Sequence, residues 1–331
     1  MIDRPLLSVV ITSYTTERIQ DIYELLDSIK AQTYPNIETI FVGERSTELV
    51  EKVKSYASEN SIPNLKVLFN SGEPGLSASR NLGAKEAKGD IIAFVDDDVI
   101  LFSDWAEEMV KTYEDGRVIG VTGPALPLWK DKSIPWLPVE FYWIISCTAW
   151  CSPDQVQAVR NAWGHSMSFR REAFDYCQFC DTFGRTEGAH AAGKKGPVGD
   201  DTEFCINLRN KSGKDIVYNP GVKVYHKVYS YRLTPKFIRR QAYWQGYTKA
   251  MFKKIYHKSE KNEKVLETEY SLLKRILFRL FPSIAGESIR HPVRAWKRFY
   301  LSVRVLFHLG VGYLSAAWPR FGILTSKAYG A

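Results

Sequence analysis

No run of about 18 or more uninterrupted apolar residues occurs in the 331-residue chain, so nothing announces a membrane-spanning helix. The nearest stretch, Leu301 to Trp318, is broken by Arg304 and His308 and followed by Pro319 and Arg320. Leu6 to Thr12 is too short for a signal peptide, has no basic lead, and reads as a strand, which predicts a cytosolic body. Internal repeats and low-complexity linkers are absent too, which excludes a solenoid and a flexibly tethered array. Cysteine is sparse and odd in number: Cys147, Cys151, Cys177, Cys180 and Cys205. The first four could bind zinc or pair as disulfides, but reduced, mostly buried thiols are the plainest expectation. Most telling is the shortage of acid at one end: residues 232–331 hold 5 acidic side chains against 20 basic ones.

What is present excludes disorder, since 45 % of residues are apolar and 13 % aromatic, enough for a buried core. The overall formal charge of +8 conceals a division: residues 1–231 carry 25 basic and 32 acidic groups, net −7, whereas the tail is net +15. A tail so basic calls for an anionic partner. Phe278, Leu280, Phe281, Trp296, Phe299, Tyr300, Phe307 and Trp318 are interleaved with its charges, which favours an anionic membrane surface over nucleic acid. Leu272, Leu273, Ile276, Leu277 and Leu280 form a stripe with Lys274, Arg275 and Arg279 beside it, as in a helix lying in the interface. Charge and pattern together divide the chain into residues 1–234, a catalytic body, and 235–331, a helical membrane-docking region. Helices are predicted there at Pro235 to Tyr256, Glu263 to Phe281 and Pro292 to Gly310, broken by prolines 282, 292 and 319.

In the body, short apolar runs alternate with helical periodicity. Leu7 to Thr12, Ile37 to Val42 and Leu65 to Phe69 read as strands, separated by helices after Ser13 and over Leu49 to Ala57. That alternation predicts an α/β, doubly wound, mostly parallel sheet. A small-residue loop and helix, Gly75 to Lys88, leads to the buried strand Asp90 to Val95, which ends on Asp96, Asp97 and Asp98. Ligands of such sheets gather at the strands' carboxyl ends. Three adjacent carboxylates there repel one another unless a cation neutralises them, and a divalent ion held with nucleotide phosphates is the usual answer. Gly184 to Gly199, with five glycines and two lysines, is expected to be a mobile lid, and Asp200 and Asp201 open a helix after it.

The series SVVITSY at 8–14, GLSASRNLGAKEAKGDIIAFVDDD at 75–98, GHSMSFRREAF at 164–174, GDD at 199–201 and VYHKV at 224–228 resembles the inverting glycosyltransferases of family 2, which have the GT-A fold. The likeness spans roughly residues 7–250. It implies that Asp98, His226 and Asp96 bind Mn2+ or Mg2+, and that Thr12, Ser13, Tyr14, Glu17, Arg80, Asp96 and Asp97 hold a nucleotide diphosphate sugar. Glu44 stands where relatives carry an Asp that reads the base, and His165 replaces a frequent Asn near the sugar. Lys227, with Lys194 and Lys195, could meet the leaving diphosphate. Asp200 and Asp201 match the acidic pair whose second member is the general base. A sugar hydroxyl needs that base more than an already ionised lipid phosphate does, which favours a polyprenyl-linked saccharide as acceptor. The same resemblance to lipid-pathway enzymes favours GDP-mannose as donor, with UDP-glucose or UDP-glucuronate, or loading of bare polyprenyl phosphate, as alternatives. A cytosolic-face, membrane-associated enzyme is thus expected; its non-enzymatic rival is a surface-binding module on a degenerate transferase fold.

Overall fold

The computed structural model describes residues 4–131, 136–148, 153–180, 198–256 and 265–318, which fall into two compact units. The first takes 4–128, 153–180 and 199–227; the second takes 129–131, 136–148, 198, 228–256 and 265–318. Residues 184–197 of the expected lid, with Lys194 and Lys195, lie outside the described residues, as does Cys151.

The chain opens β1 (Leu7–Ser13), α1 (Ile19–Lys30), β2 (Ile37–Glu44), α2 (Thr47–Glu59), β3 (Leu65–Asn70), α3 (Leu76–Glu86) and β4 (Ile91–Asp96). There follow β5 (Val99–Leu101), α4 (Trp105–Thr112), β6 (Val118–Thr122), β7 (Ala125–Trp129), β8 (Gln157–Val159), β9 (Ser166–Arg170) and the short α5 (Ala173–Tyr176). Then come α6 (Asp200–Ser212), β10 (Asp215–Tyr218) and β11 (Val224–Val228). Eight strands form one sheet in the order β3-β2-β1-β4-β9-β6-β10-β8, and β5-β11-β7 form a second. Pairs β1/β2, β1/β4, β2/β3 and β6/β10 are parallel; β9 runs antiparallel to both β4 and β6.

This is the mixed, mostly parallel α/β arrangement that the alternating pattern predicts. β1 is buried along nearly its whole length because helices cover both faces of a parallel sheet, and so its sequence is a continuous apolar run. Ile22, Leu25, Leu26 and Ile29 of α1 sink into one core cluster with Val9 and Ile11; Val10 faces the other, with Ile92 and Phe94. The helix α3 lies unusually close to β1, since a Cβ on Gly83 would stand 2.3 Å from a methyl of Val10. Strand order reverses direction between β1 and β4, so the crevice of this sheet opens beyond Ser13 and Asp96.

In the second unit, a short 3-10 helix at Val139–Ile145 precedes α7 (Pro235–Tyr256), α8 (Glu267–Arg275), α9 (Phe281–Glu287) and α10 (Pro292–Ala317). α7 and α10 cross at glycines: a Cβ on Gly246 would fall 1.9 Å from the Leu309 carbonyl, and one on Gly312 equally close to the Tyr243 carbonyl. Around them Phe141, Ile144, Ile145, Val228, Ile238, Ala242, Ile276, Leu280 and Val305 make a core. Arg275 pairs with Glu140 at 3.0 Å, and Arg294 and Arg298 with Glu287 at 3.0 and 2.5 Å.

Pro282 does not interrupt its helix as the sequence predicts. The helix widens into a π turn at Ile276–Leu280 and runs on through Pro282 at the start of α9. Among the described residues α10 is the one helix long and apolar enough, by length and composition, to cross a membrane. Arg304 and His308 interrupt the linear run, but the helix passes through them unbroken and continues seven residues past the predicted end at Gly310. No disulfide joins one described cysteine to another.

Candidate active site

Two turns and two strand ends build the site of the first unit. Asp96 ends β4 beside Thr12 of β1, and β11 runs antiparallel to β5, so that His226 faces Val99. This brings one atom each of Asp96, Asp98 and His226 within 4.8 Å of one another, the one group among the described residues able to hold a metal ion. Asp98 and His226 are 1 % and 0 % exposed. Asp98 Oδ1 lies 3.3 Å from His226 Nε2. Two ligands at right angles on an ion with bonds of about 2.1–2.2 Å stand about 3.0 Å apart, so the pair fits a shared Mn2+ or Mg2+. Two carboxylates and an imidazole are also suited to manganese.

Asp97 lies in the turn between β4 and β5 and is not part of the metal group. It is buried; Ser13 Oγ donates to its Oδ2 at 2.6 Å and Arg18 Nη1 to its Oδ1 at 2.5 Å. Burial pushes its carboxyl up against the opposing pull of Arg18. Each of its oxygens thus has a donor within the protein.

Lys227 requires a clearer correction. Its neighbour His226 turns toward the metal cluster, so the Lys227 side chain leaves the strand on the other side. Its Nζ is fully buried, 2.9 Å from both Asp21 Oδ1 and Glu24 Oε2 on α1. That ion triad, not a diphosphate, receives the charge.

Glu44 is buried at the end of β2, where its Oε2 accepts from the Gly75 N–H at 2.8 Å and from Ser79 Oγ at 3.1 Å. It therefore ties the β2 end to the start of α3, which carries Arg80. Next to it, Arg45 adopts a left-handed φ of 66° and its guanidinium lies 5.3 Å over the Tyr14 ring. Tyr14 is 43 % exposed at the crevice, and Glu17 is exposed on the adjoining 3-10 turn, Thr16–Arg18.

Arg80 links the two acidic groups. Its Nη1 donates to Asp200 Oδ2 at 2.5 Å and its Nη2 to Asp96 Oδ1 at 3.4 Å, while the guanidinium lies 5.5 Å over Phe179. Asp200 is thereby neutralised. Asp201, one residue into α6, meets no cation among the described residues: Gly164 N–H donates to its Oδ2 at 2.9 Å and Thr202 N–H to its Oδ1 at 2.6 Å. His165, next to Gly164, accepts from the Asp96 N–H at its carbonyl, and its ring stacks near that of Trp163. Burial holds the His165 imidazole at a pKa of about 4, with the Gly123 hydrogen bond and the Asp98 charge pulling the other way, so the ring is neutral.

Glu203, one turn beyond Asp200, went unnoticed in the sequence. It is buried, its Oε2 has no hydrogen-bond partner, and burial, then the charge of Asp200, pushes it up to about 7. Three acids in the first turn of a helix that follows Gly199 were the available signal. Arg18 was missed as well; only its place four residues after Tyr14 could have suggested it.

Comparison with known proteins bears on the family and the fold. The model of the glycosyl transferase family 2 matches residues 8–177. A glucosyl-dolichyl phosphate glucuronosyltransferase of Haloferax volcanii is 31 % identical over 252 residues, 76 % of this chain and 78 % of that protein. A mannosyltransferase of Pyrobaculum calidifontis, solved with GDP-Man and Mn2+, superposes with a TM-score of 0.60 at 19 % identity, over 96 % of this chain and 88 % of that one. The chain belongs to glycosyltransferase family 2 and has its GT-A fold.

Proposed function

We propose that this protein is a metal-dependent, inverting transferase that moves a sugar from a nucleotide diphosphate to the hydroxyl of a polyprenyl-linked saccharide, docked on the cytosolic face of the plasma membrane. The observation that carries the reading is the contrast within the acidic pair. Asp200 is tied to Arg80, whereas the Asp201 carboxylate meets only neutral donors among the described residues, the N–H groups of Gly164 and Thr202 and the Thr202 hydroxyl. A carboxylate so oriented takes the proton of an attacking hydroxyl. Asp96, Asp98 and His226 would hold a divalent ion, which would supply charge neutralisation for the departing diphosphate. Arg80, between Asp96 and Asp200, offsets part of the negative charge at that end of the site. Tyr14 offers an exposed ring for the base, and neutral His165 lines the approach to the sugar.

For the donor, the Haloferax volcanii relative supports glucuronosyl transfer, since it matches three-quarters of the chain, and its name also supports a dolichyl-phosphate-linked acceptor. The mannosyltransferase likeness, at 19 % identity, speaks for the fold alone. UDP-glucuronate therefore stands ahead of GDP-mannose.

Docking is supported by the second unit. Phe278, Ile289, Val293, Trp296, Phe307 and Trp318 are each 63–87 % exposed, next to Arg279, Arg290, Arg294 and Lys297. Apolar side chains amid cations suit the anionic cytoplasmic leaflet. The test incubates the protein and Mn2+ with radiolabelled UDP-glucuronate, UDP-glucose or GDP-mannose and with polyprenyl phosphate or its glucosylated form. Glucuronosyl transfer to the glucosylated lipid, abolished by EDTA, is expected. Product only on bare lipid phosphate refutes the acceptor, product only from GDP-mannose refutes the donor, and no product from any combination refutes the reading.

A further inference from the structure

Beyond its contact with Asp97, Arg18 reaches a member of the metal group itself. Its Nη1 contacts two consecutive carboxylates, Asp97 Oδ1 at 2.5 Å and Asp98 Oδ2 at 2.9 Å. Both acids are buried, at 6 % and 1 % exposure, and two such anions side by side are costly without a cation. The contact also divides the two oxygens of Asp98. Oδ2 goes to the guanidinium, which leaves Oδ1 facing His226 Nε2 at 3.3 Å. A carboxylate with neither oxygen restrained could turn and grip an ion with both; this one is held to offer a single oxygen toward Asp96 and His226.

We propose that Arg18 is a positioning residue for the metal site, fixing Asp98 as a one-oxygen ligand and cancelling the charge of Asp97, so that the ion is held by Asp96, Asp98 and His226 alone. This inference rests on the metal-dependent reading above. Hydrogen-bond partners that orient a metal's direct ligands are typically worth about 10–100-fold in affinity. Arg18 ends the 3-10 turn Thr16–Arg18, three residues after Thr15, whose hydroxyl caps it. Tyr14 and Glu17 belong to the same short segment, so the turn that faces the nucleotide also orients a metal ligand.

The test measures Mn2+ binding to the full chain by the electron paramagnetic resonance of free Mn2+, with and without UDP or GDP, and needs no turnover. R18Q is expected to weaken Mn2+ binding about tenfold or more. R18K should restore most of the loss, because both contacts come from one nitrogen and a single ammonium can make them. Should R18Q fold poorly, the double variant R18Q/D97N removes the stranded charge together with its partner and should still show the weakened binding. Parent-like or tighter Mn2+ binding in the Gln variants overturns the role of Arg18. A parent chain that takes up no Mn2+ even with nucleotide overturns the metal reading beneath it instead.

Discussion

Replacing Lys227 by Met separates two accounts of that residue. Methionine is close to lysine in volume, so the main perturbation is the loss of the ammonium between Asp21 and Glu24, both 2.9 Å from it. Asp21 is 6 % exposed and cannot be rehydrated in place, whereas the Glu24 side chain is 35 % exposed and can turn to water. Breaking a buried pair from one side costs about 3–5 kcal/mol because a charge is left uncompensated. At about 2–4 °C per kcal/mol for a body of this size, Lys227→Met should lower the melting temperature of the first unit by roughly 6–20 °C. A second change, Asp21→Asn, removes the stranded charge and should recover most of the loss. The KM for the donor should stay at the parent value in any variant that remains folded at assay temperature. Calorimetry with initial-rate kinetics makes the test; an unchanged melting temperature with a raised donor KM would refute the buried triad.

Other outcomes follow from the same geometry. Asp201→Asn should lower kcat about 10²–10⁴-fold while nucleotide affinity stays near the parent value; comparable kcat refutes its role as base. The amide's N–H2 group competes with the Gly164 N–H, so a loss of about 1–3 kcal/mol in stability is expected alongside. Glu203→Gln should change how stability depends on pH. The folded protein holds this proton up to about 7 and the unfolded chain releases it near the ordinary 4.5, so the parent loses stability as pH rises between those values. The Gln variant should match the parent near pH 4 and melt higher above pH 7, and a lower melting temperature at pH 8 would contradict the burial argument.

Much of the fold was legible because a parallel sheet covered on both faces writes continuous apolar strands, and β1 and β4 appear as such. The metal group was legible for a related reason: carboxylates at the end of a buried strand fall where the sheet opens. What escaped was direction and partnership. Alternation alone turns Lys227 away from His226, but it does not apply to Asp97, which sits in a turn, and their partners, Asp21 and Arg18, lie 206 and 79 residues away. The hold on Asp201 comes from the main-chain N–H of Gly164, and a backbone donor leaves no trace in residue identity. Glu44 looked like a base reader at the end of β2, yet the loop at Gly75 claims one of its oxygens. In the second unit, the gross charge was readable, but not that Arg275, Arg294 and Arg298 are paired with Glu140 and Glu287.

The most direct test of the central claim is nucleotide binding followed by thermal shift, with UDP and GDP, in Mn2+ and in EDTA, for the parent and Asp98→Ala. Asp98 is the buried acid that contributes to the metal group and contacts both His226 and Arg18. A metal-dependent rise in melting temperature with one of the nucleotides, absent in EDTA and lost in Asp98→Ala, is the expected result. Stabilisation that is equal in Mn2+ and EDTA, or that survives Asp98→Ala intact, would contradict a metal-dependent transferase built on these residues.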